Sequence, residues 1–147
     1  MKKIYLSVVC LLISIPLIAQ LYVEPEKEVE CSVFLAKEGR GRAQQGLEIW
    51  DDYIFSCEDG GHVNIYDFKS ADPKPVAGFE LASSHPDNHV NNVCFGVETK
   101  RGASFPLLYI TNGKVGSELE WLCFVESITR RGKRFSSEIV QTIELDG

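Results

Sequence analysis

Residues 45–81 carry four short runs of β-branched and aromatic residues, each closed by turn chemistry. The runs are 46–50, 53–57, 62–67 and 76–81. They are separated by Asp51-Asp52, by Glu58-Asp59-Gly60-Gly61 and by a proline-containing loop. A strand needs only a few residues to cross a sheet, and two- to four-residue Asp/Gly turns reverse the chain at once. The stretch is therefore too densely punctuated for helices, and it predicts an antiparallel meander. A second set of four runs follows at 90–98, 107–111, 121–128 and 138–145. The expected fold class is all-β: two four-stranded antiparallel meanders.

The two sets correspond place by place. In the third strand Val63-Asn64-Ile65-Tyr66-Asp67 aligns with Leu122-Cys123-Phe124-Val125-Glu126, and the fourth strands end Phe79-Glu80-Leu81 and Ile143-Glu144-Leu145. A single leading run, 31–35, precedes the first set as the end of the first set precedes the second. On these residues the chain resembles the WD40/YVTN-type β-propellers, and 45–68 and 89–128 resemble a group of secreted bacterial propeller-like proteins. The acidic residue closing each third strand stands where WD-type blades keep a Trp-Asp pair. The resemblance implies two blades (46–81 and 90–145) plus one orphan outer strand (31–35), an incomplete β-propeller over 31–147. Propellers close with typically four to eight blades. Association between copies is therefore expected, with a truncated propeller or a compact pair of sheets as the alternatives.

Residues 1–19 read as a secretory signal peptide: Lys2 and Lys3, an apolar run over 4–18, and Ala19 before Gln20. That run is shorter than the roughly 20 apolar residues of a membrane span. No span is expected, and the chain is placed in the periplasm or outside the cell. Residues 20–30 form an acidic leader. Without the signal, thirteen basic residues oppose twenty-one acidic ones, a net charge of −8. Such a balance argues against nucleic acid and anionic membranes as partners. The basic cluster Arg130, Arg131, Lys133 and Arg134 reads as a solvated loop. Cys31, Cys57, Cys94 and Cys123 permit disulfides in three connectivities, but strand cysteines serve as well as small buried hydrophobes.

In the resemblance, the loops at one end of the blades form a rim where ligands bind. The rim residues here are Gln45, Glu58, Asp59, His85, Asp87, Asn88, His89, Asn91 and Asn92. In an extended loop His85, Asp87 and His89 fall on one side, as metal ligands would. Pro86-Asp87-Asn88 equally reads as a turn. Trp50, Trp121, Tyr53, Tyr66 and Tyr109 offer sugar-stacking faces or packing surface. The chain contains no G-x-S-x-G, H-E-x-x-H or phosphate-loop motif, and no cofactor is expected. The reading is an exported binding module for a protein or glycan. A metal-dependent enzyme using His85, Asp87 and His89, or a structural fragment without activity of its own, are the alternatives. Ile49, Phe55, Ile65, Phe79, Val93, Phe95, Leu108, Ile110, Phe124 and Ile143 are the expected core.

Overall fold

The computed structural model describes residues 43–72, 74–113 and 115–145. The signal peptide, the acidic leader, the orphan strand 31–35 and Cys31 lie outside the described residues. Eight strands follow one another: β1 (Gln44–Trp50), β2 (Tyr53–Glu58), β3 (His62–Asp67), β4 (Ala77–Glu80), β5 (Asn92–Phe95), β6 (Leu108–Thr111), β7 (Leu122–Arg131) and β8 (Arg134–Glu144). They form two four-stranded antiparallel meanders, β1-β2-β3-β4 and β5-β6-β7-β8, which do not close into a barrel.

The tight turns do what their residues favour. Asp51 takes a left-handed φ of 53°, which a short polar side chain tolerates, and Trp50 then faces Tyr53 across the hairpin. Gly60 and Gly61 supply positive φ between β2 and β3. The third tight hairpin was not expected. Arg131 pairs with Arg134 across Gly132-Lys133, with Gly132 at φ 64°, so β7 and β8 run unbroken through the basic cluster. The solvated loop is a twisted hairpin tip, because Gly lets the chain reverse in two residues.

One core lies between the sheets. Phe55, Cys57, Val63, Ile65 and Phe79 enter it from the first sheet, and Leu108, Ile110, Phe124, Ile128 and Phe135 from the second. Phe105, from the loop before β6, fills its centre. Its ring centroid is 5.1 Å from Phe55 edge-on and 5.9 Å from Phe135 in a stack. Of the expected core, Phe55, Ile65, Phe79, Leu108, Ile110 and Phe124 are buried. Val93 and Phe95 are half-buried and packed against the cluster, and Ile143 is half-buried opposite Cys123. Ile49 is on the wrong face. Glu48 pairs with Phe55 and shares its side, so Ile49 points the other way and is 45% exposed.

The sheets stack first strand beside first and last beside last. A Cβ on Gly46 would lie 2.8 Å from the Val90 carbonyl oxygen and 2.9 Å from Val93, so the backbone of β1 meets the approach to β5. Two residues on, the Glu48 carboxylate accepts the Phe95 N–H at 3.2 Å. At the other edge Phe79 stacks on Phe135, and Ala82 donates to Ser137 Oγ at 2.9 Å. Both edges thus pair strands running in the same direction. Two sheets stacked in the same order and direction must turn opposite faces toward each other, as successive blades do. Ile65 and Phe124 nevertheless both point into the shared core. The structural repeat is therefore offset by one residue from the match between their sequences.

Two carboxylates tie the sheets together. Glu48 does so at the first edge. Glu126, fully buried in β7, accepts the Ser83 N–H at 2.8 Å and the Ala82 N–H at 3.0 Å. A buried carboxylate is tolerated when its oxygens take such donors.

Candidate functional site: two ends of the sheet pair

The loops expected to form a rim do meet at one end. The Asp59 N–H donates to the Ala43 carbonyl at 2.8 Å, Gly60 N–H to Asn88 at 2.7 Å, and His85 N–H to Gly60 at 3.2 Å. Ser84 Oγ donates to the same Gly60 carbonyl at 2.7 Å, and the His89 N–H to Asn112 Oδ1 at 2.9 Å. Gln45 and Asn92 are exposed at the starts of β1 and β5. Asn88 is buried and spent on the loop itself: Nδ2 donates to Ser83 and Oδ1 accepts from Val90. Asn91 lies against Gly113, with its Oδ1 buried and lacking a hydrogen-bond partner. Glu58 is buried, one oxygen accepting from Asn64 Nδ2 at 2.8 Å and the other without a partner.

His85, Asp87 and His89 do not converge. The Asn88 N–H donates to the His85 carbonyl at 2.9 Å, which makes 85–88 a turn rather than an extended run. His85 Nδ1 accepts the Asp87 N–H at 3.1 Å, while His89 Nε2 turns to Asp59, 3.6 Å away. Proline and Asp favour that turn, and it removes the alternation that would align the three side chains. Among the described residues no group of three or more His, Cys, Asp or Glu side chains is arranged to hold a metal ion. Cys57, Cys94 and Cys123 are free thiols. Burial, and then the Glu126 charge, push the Cys57 thiol up to about 12, leaving it unreactive at neutral pH.

The concave surface is at the opposite end. A cleft of about 410 Å3 opens there between the sheets, lined by Trp50, Asp51, Tyr53, Ser104, Phe105 and Arg130. A second hollow of about 210 Å3 shares Tyr53 and Arg130 with it and extends to Asp67, Val76, Lys133 and Phe135. Arg130 stands between them. Its guanidinium carbon lies 4.9 Å from the Tyr53 ring centroid and 5.8 Å from that of Phe135, and its Nε donates to the Gly132 carbonyl at 2.8 Å. Ser104 Oγ accepts the Arg130 backbone N–H at 2.9 Å, fixing the base of the side chain. The guanidinium thus packs beside two rings while its terminal nitrogens donate to no described residue. Trp50 is 41% exposed, its ring edge-on to Phe95 at 5.7 Å.

This end is not the rim that the propeller resemblance implies: from the sequence Trp50 and Tyr53 read as sugar-stacking faces or packing surface, and Arg130 as part of a solvated loop. The available signal was the run Arg130-Arg131-Gly132-Lys133-Arg134-Phe135, a Gly-containing two-residue turn with strand-forming residues on both sides.

Among the described residues no helix is long and apolar enough to cross a membrane. No protein-family model matches the chain, and no curated protein matches it. The likeness to propeller blades rests on architecture alone, and function has to be argued from the site.

Proposed function

We propose that this chain is an exported binding module of propeller type, which holds its ligand in the cleft between the sheets at the β1–β2 and β7–β8 hairpins. The export half of the reading rests on Lys2, Lys3 and the apolar run 4–18. The propeller half rests on two four-stranded meanders stacked in the same order and direction. One observation carries the binding half. A cleft within the size range of small-molecule sites is walled by aromatic rings and contains a guanidinium that is positioned by the protein and unclaimed by it. Polar groups fixed beside aromatic rings are how such a site orients a ligand. The loop end has converging polar groups, but most are spent on one another.

The test is ligand screening on the purified chain by thermal shift and by intrinsic tryptophan fluorescence. A ligand that raises Tm, is recovered unchanged, and is lost to both Trp50→Ala and Arg130→Ala supports the reading. Turnover of the ligand would replace a binding module with an enzyme. Binding that survives both substitutions and disappears in His89→Ala or Asp59→Asn would move the site to the loop end.

A further inference from the structure

We infer that the cleft is built for a sugar ring carrying one carboxylate, a uronic-acid residue of a glycan. The inference rests on the binding-module reading and names its ligand class. Three groups around the cleft make different demands. The Arg130 guanidinium lies 4.9 Å from the Tyr53 ring centroid and 5.8 Å from that of Phe135 and is tied back through Nε, which leaves its terminal nitrogens as a pair of donors. Such a pair matches the two oxygens of a carboxylate. Trp50 offers a partly exposed ring, a surface for the apolar C–H face of a pyranose. Asp51, exposed at the hairpin turn that lines the cleft, supplies acceptor oxygens for hydroxyl donors. A uronate meets all three with one body: carboxylate to Arg130, C–H face to Trp50, hydroxyls to Asp51.

Charge selects against the rivals. The two hollows together are lined by two cations, Arg130 and Lys133, and two carboxylates, Asp51 and Asp67. A densely charged polyanion would bring phosphates or sulfates against those carboxylates, in a chain whose acidic residues outnumber its basic ones by 21 to 15. An aromatic acid would satisfy Arg130 and Trp50 but would leave the Asp51 carboxylate facing carbon. The adjoining 210 Å3 hollow continues past Arg130 and gives room for the next residue of an oligosaccharide.

The full chain is titrated with methyl glucuronide, methyl galacturonide and their disaccharides, following tryptophan fluorescence and the NMR signals of the Trp50 indole and the Arg130 side chain. Methyl glucoside, glucose 6-phosphate and phenylalanine serve as comparison ligands. The expected result is binding of at least one uronate, at least tenfold tighter than methyl glucoside, with shifts at both Trp50 and Arg130. Arg130→Lys keeps the charge and loses the paired donors, and should weaken uronate binding about tenfold. Trp50→Ala should weaken it by a similar factor. Circular dichroism of each variant must match that of the parent, and Trp121→Ala, remote from the cleft lining, should bind uronate as the parent does. Three results overturn the inference while leaving a binding module standing: equal affinity for the neutral glucoside, tighter binding of glucose 6-phosphate, or tighter binding of phenylalanine, which assigns the cleft to a zwitterion. Absence of uronate binding also overturns it. Loss of binding to every ligand class in a wider screen, with Trp50 and Arg130 signals unmoved, overturns the binding-module reading as well.

Discussion

Glu126 is the side chain whose removal should most directly separate the two sheets. Its carboxylate is fully buried and takes the Ser83 N–H at 2.8 Å and the Ala82 N–H at 3.0 Å, joining β7 to the chain leaving β4. Hydrogen bonds to a charged group contribute about 1.5–3 kcal/mol each, and an orphaned buried N–H costs about 1–3 kcal/mol. The two donors are not equivalent. Ser83 is buried and has only Glu126, whereas Ala82 is exposed and also donates to Ser137 Oγ at 2.9 Å. Removing a buried charge returns some desolvation energy, but a carboxylate with donors on both oxygens has little left to return. Loss of the bonds therefore wins, and Glu126→Ala should destabilise by roughly 3 kcal/mol. Glu126→Gln keeps one acceptor oxygen but sets an amide N–H2 against the second donor, and should cost about 1–2 kcal/mol.

The shared donor makes the reasoning testable beyond a single number. Ser137→Ala alone should cost about 0.5 kcal/mol, since Ala82 N–H keeps Glu126 and water. In Glu126→Ala, Ser137 becomes the only side-chain acceptor left to that donor, so the double variant should lose about 1 kcal/mol more than the sum of the singles. Urea unfolding followed by tryptophan fluorescence measures all four proteins. Additivity within about 0.3 kcal/mol, or a Glu126→Ala loss below about 1 kcal/mol, would refute the clasp.

Other substitutions probe the rest of the fold. Gly46→Val places carbon within 2.9 Å of the Val90 carbonyl and the Val93 side chain, and should cost about 2–3 kcal/mol in urea unfolding because a backbone oxygen cannot give way easily. Phe124→Ala should cost about 3–5 kcal/mol, and Phe95→Ala, at a half-buried position, clearly less in the same assay. Cys57 has a thiol raised by burial to about 12. An acid whose pKa rises on folding loses stability once pH passes its unfolded value near 9, where the unfolded chain ionises first. The stability advantage of the parent over Cys57→Ala should then be constant to about pH 8 and shrink by roughly 3 kcal/mol by pH 11 in urea titrations.

Much of the fold was legible because strands and turns announce themselves locally. Asp51-Asp52 and Glu58-Asp59-Gly60-Gly61 mark reversals whose geometry depends on few neighbours, so β1 to β4 lie close to where the residues put them. Facing was harder. Glu48 and Ile49 compete for the core side of β1, and hydropathy favours Ile49. The register Glu48–Phe55 decides otherwise, and Glu48 is kept inward by the Phe95 N–H of the other sheet. That contact spans 47 residues and leaves no trace in local periodicity. The same limit explains the one-residue offset of the repeat: alignment compares side-chain types, while the relation between stacked sheets is set by backbone direction.

The candidate cleft is hard to read from the sequence for a related reason. His85, Asp87 and His89 attract attention because their side chains can bind metals, yet Pro86 and Asp87 favour the turn that separates them. Arg130 looked like one charge in a basic loop because its partners are remote in sequence: Tyr53 is 77 residues before it, and Phe135 lies across a hairpin that Gly132 closes. Contact with two rings changes what that arginine can do. A free arginine side chain loses substantial conformational entropy when it captures an anion, whereas one already packed against Tyr53 and Phe135, with Nε tied to Gly132, has lost part of that freedom on folding. Preorganisation of this kind lets a single cation contribute to affinity in a chain that is acidic overall. It follows that Tyr53→Leu, which removes the closer of the two rings from the cleft lining and leaves Trp50, Asp51 and Arg130 themselves unchanged, should weaken uronate binding severalfold. Retention of full affinity in a folded Tyr53→Leu protein would show that Arg130 needs no such support.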